Sequence, residues 1–94
     1  MLFVIICTDK PNSLDLRMAT RPAHLAYLEK VAVKGAGPFI DDAGNPNGSL
    51  VIIEAKDLAD AKAVAAADPY AQAGLFASVD IRPWKWLIKN PEAK

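Results

Sequence analysis

LFVIIC, Leu2–Cys7, is an unbroken apolar run in which Val4, Ile5 and Ile6 are β-branched, and it stops at once in Thr8-Asp9-Lys10-Pro11-Asn12. The run is too short for an ordinary helix but suits a strand. A strand without polar alternation needs cover on both faces. SLVIIE, Ser49–Glu54, is a second run of this kind. The rest of the chain has to supply that cover.

Beyond the first run the period changes. Leu14, Met18, Leu25, Leu28 and Ala32 recur at helical spacing, with Leu16 and Val31 close by. Ser13 or Asn12 can cap a first turn. Thr20-Arg21-Pro22 reads as a second start, because proline is tolerated in a helix's first turn. The expectation is a short helix at Ser13–Met18 and a longer one from Arg21 to Val33, stopped by Gly35. GAGPFI, Gly35–Ile40, reads as a short strand in which glycine lets something approach the backbone closely. DDAGNPNG, Asp41–Gly48, is dense in turn formers and reads as a loop. After Ser49–Glu54, Asp57 is expected to cap a helix with Asp60 in its first turn and Leu58, Ala61, Val64 and Ala65 as a narrow apolar stripe. In the last run, Ala77–Ile88, apolar residues fall on odd numbers at Val79 and Ile81 and on even numbers from Trp84 to Ile88. That change of phase predicts a bulge or bend at Pro83.

The order β, α, β, β, α, β is the ferredoxin-like α+β arrangement, an antiparallel sheet with both helices on one face. Two helices cover one side of such a sheet. The apolar runs require cover on the other, and a second copy packed face to face is the economical answer. The expected assembly is therefore a homodimer with an internal cavity between the sheets.

Ninety-four residues allow one domain, spanning residues 1–94, with no room for a second core. Eleven basic residues balance eleven acidic ones, and this neutrality argues against nucleic acid, which needs a concentrated positive surface. Cys7 is the only cysteine, so no internal disulfide can form and a metal cluster is not expected. The opening apolar run is too short to cross a bilayer and lacks a basic leader, so the expected location is cytoplasmic. The glycines form neither a dinucleotide fingerprint nor a phosphate loop, and no cofactor is expected. Ser49 follows Gly48 without a nucleophile elbow. Cys7 reads as core, and Trp84 and Trp86 as core or interface.

The chain's only histidine, His24, is a candidate for general acid–base work, because imidazole titrates near neutral pH. Arg17 lies seven residues before it and Arg21 three, so a continuous helix would put all three on one face. The guanidinium groups would then attract an anion. Spacing alone favours the alternative, a partly buried histidine bonded to a backbone carbonyl, with solvated arginines. Asp68, directly before Pro69, has the form of a helix N-cap. It is also a candidate to orient His24, and a carboxylate has oxygens enough for both roles. Tyr27 and Tyr70 can bond a substrate or serve as amphipathic walls.

In combination, the Arg17 and RPAHL segments, AGP (Ala36–Pro38), GS (Gly48–Ser49), DPY-x-x-AGL (Asp68–Leu75) and the closing Pro83-Trp84 resemble the YCII family, also called YciI-like proteins. The resemblance covers nearly the whole chain in order. It implies a dimeric α/β-barrel fold and a site built around a histidine and an aspartate, which fall here on His24 and Asp68. Arg17, Arg21, Gly37, Pro38 and Ser49 also fall on family positions, and with Tyr70 they are expected to line the substrate cavity. The family's best-defined chemistry is dehydrochlorination of a chlorinated hydroxyhydroquinone. This sequence departs from the pattern at Phe39–Asn47, which is compact where relatives often carry a longer glycine-rich insertion, so substrate choice does not transfer. The implied function is a cofactor-independent lyase or isomerase acting on a small anionic compound, aromatic or enolisable ones included. The alternative is a non-catalytic dimer that holds a metabolite or a partner in the same cavity.

Overall fold

The two apolar runs become neighbours in the middle of one sheet. β1 (Leu2–Asp9) pairs with β3 (Pro46–Glu54) on one side and β4 (Phe76–Trp84) on the other, and β2 (Val33–Ile40) pairs with β3. The strand order is β2-β3-β1-β4 and every pair is antiparallel. This computed structural model describes residues 1–92, so Ala93 and Lys94 of the expected domain lie outside the described residues. The helices are α1 (Leu14–Leu28), α2 (Leu58–Ala67) and a four-residue α3 (Pro69–Gln72). The architecture is ferredoxin-like, as the element order predicts.

Pairing register assigns each apolar residue to a face. Phe3, Ile5 and Cys7 lie beside Ile53, Val51 and Ser49 on the face that α1 and α2 cover, where Leu28, Val64 and Ala65 pack against them. Ala61 is fully buried, and its small side chain lets α2 lie close to the strands. Val4 and Ile6, beside Ile52 and Leu50, point to the opposite face. There they line an open hollow with Arg82 and Trp84. No described helix is long and apolar enough to cross a membrane.

Several local expectations need correction. One helix runs through Thr20-Arg21-Pro22 where two were expected, with Pro22 inside it. Pro22 stands on an exposed stretch, where water can serve the carbonyl that proline leaves unbonded. The helix ends at Leu28 rather than Val33 because the next residues reverse direction and enter the sheet. The Val33 N–H bonds the Val31 carbonyl, and Glu54 N–H bonds the Ala32 carbonyl. Gly35 is thus an interior residue of β2, not a helix stop. β3 starts at Pro46, which shortens the expected loop to a turn held by Asp41, whose carboxylate accepts from the Ala43 and Asn45 N–H groups.

No register change occurs at Pro83. Phe3 pairs with Pro83 and Leu2 with Trp84, after which the chain leaves the sheet. The even-numbered apolar residues Trp86 and Ile88 therefore belong to a separate segment, where the Trp86 indole N–H donates to the Ile88 carbonyl. Pro83 sits on an edge strand, where a missing N–H costs no ladder bond. The one register shift involving β1 falls between Thr8 and Asp9.

Close backbone approach occurs at Gly48 rather than in GAGPFI. A Cβ on Gly37 would meet nothing within 4 Å, whereas one on Gly48 would stand 2.5 Å from the Cys7 carbonyl oxygen. Backbone cannot retreat there without spreading β1 from β3. Gly48→Ala is therefore expected to destabilise the protein by about 1–3 kcal/mol in urea titration, while exposed Asn47→Ala shifts it by less than about 0.5 kcal/mol. Equal stability of the two variants would contradict this packing account.

Candidate active site

Helix α1 buries its polar residues and exposes several apolar ones. Arg17 and His24 are its buried residues, whereas Leu16, Met18 and Leu25 are exposed. The apolar stripe expected to face the core is thus partly on the outside. Burying a guanidinium and an imidazole is costly unless each polar atom finds a partner. Both find them.

His24 Nδ1 lies 2.9 Å from each carboxylate oxygen of Asp68. Asp68 is extended at φ −62° and ψ 129°, between the end of α2 and the start of α3, and its Oδ1 also accepts the Tyr70 N–H at 2.9 Å. The N-cap and the histidine contact therefore coexist on one side chain. Pro69 at the first position of α3 fixes the exit direction. A carboxylate only accepts, so it holds the proton on Nδ1 and leaves the Nε2 lone pair free. Nε2 has no partner among the described residues and is the ring nitrogen available to the cavity. Histidine bonded to a backbone carbonyl, the structural alternative, is not the arrangement found.

The Tyr70 ring lies against His24, with centroids 3.9 Å apart and planes inclined by 18°, and the Arg17 guanidinium carbon stands 4.6 Å from the same ring's centre. Arg17 and His24 are about two helical turns, or roughly 10 Å, apart, and the phenol ring fills that interval. Only 1% of Tyr70 is exposed. Stacking and cation–π contacts of this kind are each worth about 0.5–2 kcal/mol. Burial pushes the Tyr70 hydroxyl's pKa up, with the Arg17 and Arg21 charges pulling the other way.

Arg17 is itself engaged through Nε and Nη2. Its Nε donates to Asp9 Oδ2 at 2.7 Å, and its Nη2 donates to Asp9 Oδ1 at 3.2 Å and to Ser49 Oγ at 2.7 Å. Burial works against the guanidinium charge, but the bond to Asp9 and that carboxylate's charge outweigh it and raise the pKa. Cys7 lies beneath this network. Burial first, then the charges of Asp68 and Asp9, push its thiol up to about 12. It stays protonated at neutral pH and belongs to the core, as expected.

Between α1 and the β2–β3 edge is a cavity of about 450 Å³. Arg17, Arg21, His24, Gly37, Pro38, Ser49 and Tyr70 all line it, and Asp68 stands behind His24. It lies on the helix side of the sheet, because Ser49 and Val51 reach it from the face that carries Cys7 and Ile5. All of its lining residues come from one chain. Among the described residues no three of His, Cys, Asp and Glu converge as a metal site would require.

Asp9, Met18 and Leu25 are site residues that sequence reasoning missed. Asp9 ended an apolar run and read as punctuation, and its pairing with Arg17 depends on how α1 lies across β1. Met18 and Leu25 were assigned to the core by period. The double duty of Asp68 has a direct test. Asp68→Ala, which removes the cap and strands Nδ1, is expected to cost about 2 kcal/mol or more. Asp68→Asn keeps an acceptor for the Tyr70 N–H and is expected to cost less than about 1 kcal/mol. Equal losses in thermal or urea unfolding would contradict the shared cap.

Comparison with known proteins agrees with this fold. A YCII-related domain model matches residues 1–85. The chain is 42% identical over 95 residues to Protein YciI of Escherichia coli O6:H1, covering 90% of this chain and 97% of that one. An uncharacterised protein of Haemophilus influenzae is 41% identical over 96 residues, with the same coverage. Among solved structures, 5-chloro-2-hydroxyhydroquinone dehydrochlorinase (TftG) of Burkholderia phenoliruptrix, in complex with 2,5-dihydroxybenzoquinone, superposes with a TM-score of 0.83 at 36% identity over 90% of this chain and 94% of that chain. A more distant antibiotic biosynthesis monooxygenase, TM-score 0.56 at 17% identity, shares the fold alone. With a domain model matching most of its length and relatives above 40% identity, the chain belongs to the YCII-related family.

Proposed function

We propose that this protein is a cytoplasmic, cofactor-independent enzyme that performs general acid–base chemistry on a small anionic compound, with His24 as the proton carrier and Asp68 as its orienting partner. The observation that carries this reading is the 2.9 Å contact of His24 Nδ1 with both Asp68 oxygens, which leaves the opposite ring nitrogen at a cavity wall. The likeness to TftG supports it, because that protein is a dehydrochlorinase described with a quinone ligand. In an elimination, Nε2 would take a proton from the substrate while the C–Cl bond breaks and its electron pair departs with chloride. In an isomerisation, the same nitrogen would return the proton at a different atom. Gly37, Pro38 and Ser49 would shape the substrate's position, with Arg17, Arg21 and Tyr70 beside it.

His24→Gln removes the base while keeping a polar side chain of similar reach. With 5-chloro-2-hydroxyhydroquinone as the first probe and chloride release as the readout, the variant is expected to lose about a hundred- to ten-thousand-fold in turnover. Unchanged turnover in a folded variant would contradict the assignment. Binding of 2,5-dihydroxybenzoquinone without conversion of any offered hydroxyquinone would favour the non-catalytic reading.

The proposal includes a homodimer of one-domain chains, joined through the open sheet face. Val4, Ile6, Leu50 and Ile52 project there, and Trp84 and Phe39 beside them are each about two-fifths exposed. Ile6→Glu would place an unpaired charge in that contact, which is strongly destabilising when buried. Light scattering is expected to give a dimer for the native chain and a monomer for this variant. A native monomer at micromolar concentration would contradict the assembly.

A further inference from the structure

The two arginines of the cavity are not equivalent, and the difference specifies the ligand. Arg17 is buried and its charge is matched by Asp9 at 2.7 Å. His24 is matched by Asp68 at 2.9 Å. Arg21 lines the same cavity, is exposed, and among the described residues has no hydrogen bond or ion pair. Once the paired groups are discounted, the cavity therefore offers one uncompensated positive charge.

The surroundings of that charge are largely apolar. Met18 and Leu25 stand three residues before and four after Arg21 on α1, which places them on either side of it along one helix face. Both are largely exposed, at 51% and 42%. The opposing wall is Ala36-Gly37-Pro38 of β2, whose side chains are small and apolar. Arg21 also precedes His24 by three residues, close to one helical turn of about 5 Å. An anionic group held by Arg21 would thus sit in the cavity that His24 also lines. Arg21's charge also reaches the Tyr70 hydroxyl on the cavity wall, opposing in part the rise that burial gives its pKa.

We infer that Arg21, and not Arg17, is the anion-recognition residue, and that the cavity selects flat amphipathic monoanions: one delocalised oxyanion, carboxylate or enolate, on an apolar body lying between Met18, Leu25 and the β2 wall. Phosphorylated and doubly charged compounds are disfavoured, because the second charge finds only guanidinium already matched by Asp9. The inference rests on the proposed location of the substrate site, but not on catalysis there.

The test is a binding series by calorimetry and thermal shift with benzoate, its neutral isostere benzamide, and terephthalate as the dianion. The native protein is expected to bind benzoate at least tenfold more tightly than the other two, with affinity falling as salt rises. Arg21→Gln is expected to weaken benzoate at least tenfold and leave benzamide unchanged, and Arg21→Lys to restore part of the loss. His24→Gln should retain benzoate while losing turnover, so failure of the acid–base proposal is read separately. No benzoate binding at millimolar concentration, equal affinity for benzamide or terephthalate, or full benzoate affinity in Arg21→Gln would each overturn the inference. Arg17→Lys serves as the second variant: a selective loss of benzoate in a folded Arg17→Lys, with Arg21→Gln unaffected, would assign the role to Arg17 instead.

Discussion

One carboxylate holds the two halves of the site together. Asp68 closes the first turn of α3 through the Tyr70 N–H and fixes the imidazole of His24, 44 residues earlier in the sequence, through its Nδ1. A helix N-cap has little freedom, since the same oxygen must remain in line with a backbone donor. Sharing that side chain transfers the rigidity of the backbone to the histidine ring. Pro69 and Tyr70, the next two residues, add a fixed exit angle and a ring that lies on the imidazole. Three consecutive residues therefore set the tautomer, orientation and stacking of the one histidine.

The polar face of α1 follows from the same constraint. A core-facing helix normally buries an apolar stripe, yet here Arg17 and His24 occupy those positions and Tyr70 fills the gap between them. Asp9 and Asp68 supply the counter-charges at the two ends. Such a network contributes little net stability compared with a well-packed apolar core. Its value lies in holding a hydrogen-bonded nitrogen on one side of the imidazole and an unpartnered one on the other, which suits the proposed proton transfer. The apolar residues displaced from the core, Met18 and Leu25, instead form the cavity's rim.

Much of the fold was legible because it rests on local signals. The uninterrupted runs Leu2–Cys7 and Ser49–Glu54 became the two central strands, and Asp57 caps α2 by accepting the Asp60 N–H. The errors arose where tertiary packing outweighs a local preference. Pro22 reads as a helix start but is carried inside a helix whose other turns are secured by Arg17 and His24. The phase change near Pro83 was attributed to a bulge, although it marks a strand that ends. His24 and Asp68 were candidates by residue type, and family resemblance favoured the pair, since no spacing rule relates residues so far apart. Asp9 was invisible for the same reason and had no motif to reveal it. The cavity's side of the sheet could not be deduced from apolar patterning, which demands cover on both faces without saying which face also encloses space.

The most direct measurement of the central claim is the tautomer of His24, read from the nitrogen shifts and one-bond proton couplings of its ring by NMR in the intact protein. For the neutral ring the account predicts the proton on Nδ1, protected from exchange and shifted downfield by Asp68, with an unprotonated Nε2. It also predicts that this signature is lost in Asp68→Asn, whose amide can donate to Nδ1 in place of accepting from it. A proton resident on Nε2 in the native protein, or an imidazole exchanging as freely as one in water, would contradict it.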